Sequence, residues 1–338
     1  MAQRLDLATL KLIGDPWAVA GRVVRDYVSA VNNCLSASSV GPVAYRASAE
    51  ERQLVWIDRA GRQMGTLGGP DAAQPNEIRL SPDGRAVALI RTIAGNMDVW
   101  LIETARGILR RFTTDPAGED APIVSPDGSR VVFGSQRLGV YDLYEKSVAG
   151  DPTETLLLAS AEYKVRMDWS PDGRFILYSN ASAKTGYDLW ALPLDGDRKP
   201  VAVARMPFRE DYGRFSPDGH WIAYQSNESG QSEICVQPFP EPGAKTQIST
   251  KGGTRPAWRR DGRELFYLAN DRLMAAPITL SDAKVDVGTP VALFSVPPGA
   301  SQYDVTADGQ RFLFNTVVKE ASPITILMNW KPGSREAR

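Results

Sequence analysis

Short runs of alternating apolar and polar residues recur along the chain, bounded by glycine, proline or aspartate. RAVALI, SRVVFG, RFILYS, HWIAYQ and RELFYL are five such runs. Alternation with a period of two is typical of a strand that buries one face. Helical spacing of apolar residues persists for no more than a turn or two. The pattern therefore predicts an all-β fold.

A common turn motif precedes these runs. SPDG occurs at 81–84, 125–128, 170–173 and 216–219, and Asp-Gly recurs at 261–262 and 308–309. A weaker copy, LSASSVG, ends at residue 41. The seven glycines of these copies are spaced 43 to 47 residues apart, at positions 41, 84, 128, 173, 219, 262 and 309. A period of about 40–45 residues with four short strands per unit is typical of a β-propeller blade.

The two ends of the chain bear on the number of blades. The opening, MAQRLDLATLKLIGDPWAVA, resembles the internal segment 274–294, so the chain begins where the third strand of a blade begins. The last unit has two or three strands. A propeller that completes one blade from both ends removes exposed sheet edges. We therefore expect seven blades of four antiparallel strands, the last closed by both chain ends, with six complete blades as the alternative.

The same pattern gives the domain organisation. The repeats predict a single propeller domain over residues 1–330, followed by a polar, frayed tail over 331–338. Within each repeat, the SPDG motif has a structural explanation. Proline presets φ, aspartate accepts main-chain hydrogen bonds, and glycine tolerates positive φ. Each Asp would lie on its own blade, spread around the ring, so we interpret the motif as a hairpin turn and not as a catalytic or calcium-binding cluster.

Composition excludes several classes of protein. The net charge is −1, which favours neither nucleic acid nor acidic membranes as partners. No apolar run approaches the length of a membrane span, and the N-terminus lacks the apolar core of a signal peptide. The two cysteines, Cys34 and Cys235, are far apart, and His220 is the single histidine. These counts argue against a disulfide framework, a zinc site and a Ser-His-Asp triad.

The sequence therefore predicts a protein that is not an enzyme and has no cofactor, catalytic residue or metal site. No GxSxG motif is present, and neither are the glycine-rich loop, HRD and DFG motifs of kinases. One enzymatic alternative stays open. Glu119-Asp120 and Glu210-Asp211 precede the first strands of two blades, in loops expected to face the central opening. They could hold calcium in a lactonase- or hydrolase-like site.

Variable residues at the mouth of the central opening are the candidate binding site. Three positions before the apolar or aromatic residue that precedes each turn, the repeats differ from blade to blade. The candidate residues are Asn32, Glu77, Arg166, Tyr212, Arg255 and Gln302, and the third repeat has Ala121 there. Repeats vary where they do not build the scaffold. We expect these residues to bind a protein, a peptide or a small anionic ligand.

Several segments carry a resemblance to known families. Repeated (W/F)SPDG, followed by an alternating strand and DLW or DLY, resembles the TolB-like, WD-repeat-like propellers. MAQRLDLATLKLIGDP, VWIDRAGRQMGTLG, GYDLWALPLDGDRKP and PITILMNW resemble the C-terminal propeller region of bacterial membrane serine/threonine kinases. This second resemblance implies an extracytoplasmic sensor or interaction module, of which this chain would be a fragment or relative. We expect the chain to be a monomer. A TolB-like envelope partner protein is a further alternative, although the expected export signal is not evident.

Overall fold

A computed structural model describes residues 2–6, 11–17, 35–37, 43–45, 50–241, 243–281, 284–300, 302–320 and 323–327. Every regular element in these ranges is a β-strand, and we number the strands β1 to β30 in chain order. The chain divides into two compact units, one made of residues 1–51 and 318–338 and the other of residues 52–317. The predicted all-β class is confirmed.

The first unit contains small sheets. β1 (Ala2–Asp6) pairs antiparallel with β2 (Lys11–Trp17). β4 (Val43–Tyr45) pairs on one side with β3 (Leu35–Ala37) and on the other with β30 (Thr325–Leu327). The weak repeat copy that ends at Gly41 therefore has its strand in a three-stranded sheet and does not form a blade.

The second unit consists of six antiparallel sheets, of which the first five are each formed by consecutive strands. Blade 1 contains β7 (Asn76–Leu80), β8 (Ala86–Ile93), β9 (Asn96–Glu103) and β10 (Leu109–Arg111). Blade 2 contains β11 (Glu119–Val124), β12 (Arg130–Ser135), β13 (Asp142–Ser147) and β14 (Glu154–Leu158). Blade 3 contains β15 (Lys164–Trp169), β16 (Phe175–Ser182), β17 (Gly186–Pro193) and β18 (Val201–Ala204).

The remaining three blades include one that is assembled from distant parts of the chain. Blade 4 contains β19 (Glu210–Phe215), β20 (Trp221–Ser226), β21 (Glu233–Pro238) and β22 (Thr246–Gln247). Blade 5 contains β23 (Thr254–Trp258), β24 (Glu264–Ala269), the long β25 (Arg272–Ser281), β26 (Lys284–Val287) and β27 (Val291–Ser295). Blade 6 has the order β28 (Gln302–Val305), β29 (Arg311–Lys319), β5 (Glu51–Asp58) and β6 (Gln63–Asp71).

The first strands of the six blades, which we call the inner strands, close a ring. Each of β7, β11, β15, β19, β23 and β28 contacts the next, and β28 contacts β7. The propeller is confirmed, but the prediction of seven blades is wrong: six blades complete the ring. The extra unit was counted from Gly41, whereas the outer half of the last blade comes from β5 and β6.

The core lies between the blades. Six clusters of buried apolar side chains occupy the six boundaries between neighbouring blades. Between blades 5 and 6, for example, the rings of Phe266 and Phe312 meet edge to face with centroids 5.1 Å apart. Such a pair adds to the free energy gained from apolar burial. The scaffold therefore holds each inner strand at a fixed place around the central axis.

The SPDG motifs form the predicted hairpin turns between inner and second strands. In blade 1, the Ser81 hydroxyl donates to Asp83 Oδ1 at 2.6 Å, and the same oxygen accepts from the main-chain N–H of Arg85 at 3.0 Å. Gly84 has φ of 71°, a conformation that favours glycine. The copies at 125, 170 and 216 repeat the serine–aspartate bond, and Thr306 and Asp308 reproduce it in blade 6. The structural interpretation of the motif is confirmed.

A repeated β-bulge interrupts the inner strands of blades 1 to 5. The register shifts between Asn76 and Arg79 in blade 1, and at the equivalent place in the next four blades. Four residues at the bulge have φ between 48° and 55°: Glu77, Ala121, Tyr212 and Arg255. A bulge adds one residue to a strand and changes which side chains face each side. Simple alternation therefore does not predict what faces the channel.

Candidate functional site

A cavity of about 820 Å³ opens among the six turns that follow the inner strands, and we call it the funnel. Its lining includes residues from the turn of every blade: Pro82, Pro126, Pro171, Pro217, Arg260 and Ala307. A volume of this size is typical of ligand sites in proteins. The funnel lies on the turn side of the propeller, opposite the starts of the inner strands.

In each blade, the residue two positions before the first residue of the turn lines the inner end of the funnel. We call these six residues the floor of the funnel. In blade order the floor residues are Arg79, Ile123, Asp168, Arg214, Ala257 and Asp304. The series of arginine, apolar residue and aspartate occurs twice around the ring. Each aspartate therefore has an arginine on the next blade, and the two aspartate–arginine pairs lie on opposite sides of the channel.

Hydrogen bonds and charges connect the floor across blades. Arg214 Nη1 donates to Asp168 Oδ1 at 3.2 Å, and Arg214 Nη2 lies 4.0 Å from Asp304 Oδ1. Asp168 Oδ2 accepts from the main-chain N–H of Phe215 at 2.8 Å, and Asp304 Oδ2 accepts from that of Leu80 at the same distance. The floor thus joins blade 3 to blade 4 and blade 6 to blade 1.

Burial perturbs both floor aspartates. Loss of solvent raises the pKa of Asp168 to about 7, with the charge of Arg79 and the N–H of Phe215 acting in the opposite direction. Loss of solvent also raises the pKa of Asp304, against the effects of Arg79 and the N–H of Leu80. Perturbed carboxylates in a cleft are a feature of functional sites, although structural ion pairs produce them too.

Aromatic side chains form part of the funnel wall, and arginines cover two of them. The guanidinium of Arg311 lies over the ring of Trp56, with Cζ 5.3 Å from the centroid, and Arg130 lies 5.0 Å from that of Trp169. The indole N–H of Trp258 donates to the main-chain oxygen of Arg214 at 3.3 Å. These contacts fix the wall, which combines rigid aromatic surface with guanidinium groups.

The residues predicted from the sequence to bind a ligand lie at the other end of the channel. Glu77, Tyr212, Arg255 and Gln302 line a cavity of about 20 Å³, whose wall also includes Arg79 and Arg214. This volume accommodates about one water molecule. Because Arg79 and Arg214 line both cavities, the floor separates the funnel from this rear cavity.

Side chains of the predicted site largely contact each other. Arg255 Cζ lies 4.4 Å from the ring centroid of Tyr212, and Gln302 Nε2 donates to Glu77 Oε1 at 3.4 Å. Arg166 is in β15, but its side chain is outside what the structure describes, as is the whole of Asn32. Four of the six predicted residues are therefore brought together, in a narrow part of the channel.

The paired acids of the calcium alternative occupy boundaries between blades. Glu119 is fully buried and accepts from Thr113 Oγ1 at 2.8 Å, while Glu210 accepts from the N–H of Met206 at 3.2 Å. Burial raises their pKa values to about 8 and about 7. Asp120 and Asp211 each accept from the N–H of the following bulge residue. Across the described ranges, no group of three or more His, Cys, Asp or Glu residues is arranged to hold a metal ion.

The sequence did not lead to a prediction of the floor residues, because variable positions were sought in the loops before the inner strands. A detectable signal existed: the residue two before each turn is arginine or aspartate in four of six repeats, at a place where a strand next to a core should be apolar.

In the part of the chain that the structure describes, no helix is long and apolar enough to span a bilayer.

Comparison with known proteins agrees with this architecture. Residues 75–202, which cover most of blades 1 to 3, match the family described as the TolB beta propeller domain. This part of the chain is thus similar to the TolB β-propeller. The fold of the chain resembles that of a putative TolB from Agrobacterium tumefaciens with a TM-score of 0.61 and 17% identity, over 82% of this chain and all of that one.

Two curated relatives are matched over part of their length. The Tol-Pal system protein TolB of Wolinella succinogenes is 25% identical over 185 residues, which cover 50% of this chain and 42% of that protein. Tricorn protease homolog 1 of Streptomyces coelicolor is 32% identical over 134 residues, which cover 38% of this chain and 12% of that protein. The chain thus spans less than half of either relative.

Proposed function

We propose that this TolB-type propeller is a non-enzymatic binding module that holds a segment of a protein or peptide partner in the funnel. The observation that carries the proposal is the funnel itself, about 820 Å³ in volume and closed at its inner end by charged residues from opposite blades. Rigid aromatic and proline surfaces bind peptides with little loss of side-chain entropy.

The relatives support a protein partner by their names alone. One is named as a protein of the Tol-Pal system and another as a homologue of a protease, and proteases act on polypeptides. The relation to the sensor region of a bacterial kinase rests on the four segments quoted above and stays a hypothesis. Sequencing the gene upstream of the Met1 codon tests it, because a kinase and a membrane helix would be encoded there in frame.

The funnel can be blocked without disturbing the core. Ala307 is exposed and lies at the edge of the funnel, so Ala307→Trp would place an indole in the opening. Ala183 is also exposed, in the hairpin between β16 and β17 at the other end of the propeller, and Ala183→Trp is the matched control. Labelled protein would be applied to an array of random dodecapeptides.

The proposal predicts a set of peptides that binds the wild type and Ala183→Trp, and that Ala307→Trp binds at least about tenfold more weakly. Binding of the same peptides by Ala307→Trp at wild-type strength would place the site elsewhere. An array with no bound peptide would argue against a peptide partner.

A further inference from the structure

The floor of the funnel offers more hydrogen-bond donors than acceptors to a ligand. Asp304 accepts main-chain N–H groups at both oxygens, from Leu80 at 2.8 Å and from Val305 at 3.0 Å. Asp168 accepts from Phe215 N–H at one oxygen and from Arg214 at the other. The aspartate oxygens are therefore occupied by groups of the propeller itself, and little acceptor capacity faces the funnel.

Arg214 contrasts with these aspartates. A guanidinium has five N–H donors in a fork that matches a carboxylate. Arg214 makes one hydrogen bond to Asp168, while its 4.0 Å separation from Asp304 is too long for a second. Its side chain is 16% exposed and lines the funnel, so the donors that remain lie beside the cavity. Arg79 lies on the opposite side of the floor.

Acidic and basic side chains at the edge of the funnel are equal in number, with Asp83 and Asp308 beside Arg260 and Arg311. Asp83 and Asp308 line the funnel, but each is held by a hydroxyl and a main-chain N–H of its own turn. Arg260 adds another guanidinium, of which Nη1 donates to the Pro82 carbonyl at 2.8 Å. The elevated pKa of Asp168 adds to the effect, since a protonated Asp168 leaves the floor with net positive charge.

We propose that the funnel recognises a carboxylate of its bound partner, and that Arg214 is the principal contact for that group. The inference rests on the proposed function, because it names the chemical group that enters the funnel. A blind cavity on the axis of the ring admits a chain end or a single side chain to its floor. The carboxylate can therefore be a C-terminus or an acidic side chain.

The test uses three matched pools of random hexapeptides that lack internal Asp and Glu, immobilised through an N-terminal linker. One pool ends in a free carboxylate, the second is amidated, and the third is amidated but has Glu as its last residue. Binding of the 338-residue chain is measured for the wild type, Arg214→Gln, Arg214→Lys and Arg263→Gln. Arg263 is an exposed arginine outside the funnel lining and controls for total charge.

We expect binding to the first or third pool, or both, to exceed that to the amidated pool by about tenfold or more. Arg214→Gln should remove this difference, Arg214→Lys should restore it in part, and Arg263→Gln should retain it. Preference for the first pool identifies a C-terminus, and preference for the third an acidic side chain. Equal binding to all pools would overturn the carboxylate inference while leaving a peptide-binding funnel intact, whereas no binding to any pool would contradict both proposals.

Discussion

Replacing Glu119 with glutamine should make the protein more stable at pH 8.5, with little change at pH 5. Glu119 begins the inner strand of blade 2 and is fully buried. One carboxylate oxygen accepts from the Thr113 hydroxyl at 2.8 Å, and the other lies 3.5 Å from Arg137 Nη2. The carboxylates of Asp98 and Glu154 are also close enough to affect its charge.

The pKa of Glu119 gives the sign and the size of the effect. Burial, reinforced by Asp98 and Glu154, raises this pKa from 4.5 to about 8, against the effects of Thr113 and Arg137. Between pH 4.5 and about pH 8, Glu119 keeps its proton in the folded protein and has lost it in the unfolded chain. Stability from this group is therefore full below pH 4.5 and is lost as the pH rises towards 8. At about 1.4 kcal/mol per pKa unit, the loss is about 3–5 kcal/mol.

Urea unfolding at pH 5 and at pH 8.5, monitored by tryptophan fluorescence, measures the effect. Glutamine retains an acceptor for Thr113 and does not ionise, so E119Q should gain about 2–4 kcal/mol over the wild type at pH 8.5. Glu103 is a partly exposed glutamate paired with Arg106, and E103Q should change stability by less than about 0.5 kcal/mol at either pH. Equal destabilisation by E119Q at both pH values would refute the reasoning, because it would show an ionised glutamate stabilised by Arg137.

Three further substitutions test the scaffold by the same urea unfolding. Lys164→Met should lower the free energy of unfolding by about 3–5 kcal/mol, because it leaves the buried carboxylate of Asp142 without the ammonium group that lies 2.8 Å away. Adding Asp142→Leu should recover most of this loss. Asp127→Ala should cost about 1 kcal/mol at pH 7 and less at pH 2, because turn hydrogen bonds, first that of the Ser125 hydroxyl, lower the Asp127 pKa to about 2. An equal cost at both pH values would contradict this. Gly213→Ala should cost about 1–3 kcal/mol, since the new Cβ would lie 2.6 Å from Leu177, and an unchanged midpoint would show that the core yields there.

The sequence predicted the parts of the fold that local chemistry determines. Serine, proline, aspartate and glycine at fixed places specify a turn through their own hydrogen bonds and φ preferences, so Ser81 to Gly84 could be assigned without knowledge of distant residues. The number of blades depends instead on where the ring closes. That is decided by pairing between β29 and β5, whose residues are more than 250 positions apart, and no local signal near Gly41 reports it.

The candidate site was harder to predict because of the bulges. Glu77 and Arg79 are two residues apart and would share one face of a regular strand, yet only Arg79 lines the funnel. The register shift between Asn76 and Arg79 separates them, and a positive φ at a glutamate is not a feature that sequence analysis anticipates. The spacing of the repeats therefore indicates the residue at the bulge, where the structure has the rear cavity.

The floor of the funnel connects ligand binding to the stability of the folded propeller. Asp304 accepts the N–H of Leu80 at the boundary where blade 6 meets blade 1. Arg214 lies within 4.0 Å of that same aspartate from blade 4, across the channel. A carboxylate bound to Arg214 would contact a network that spans this boundary. A ligand that binds only the folded ring stabilises it by mass action, so a peptide that occupies the funnel should raise the midpoint of urea unfolding.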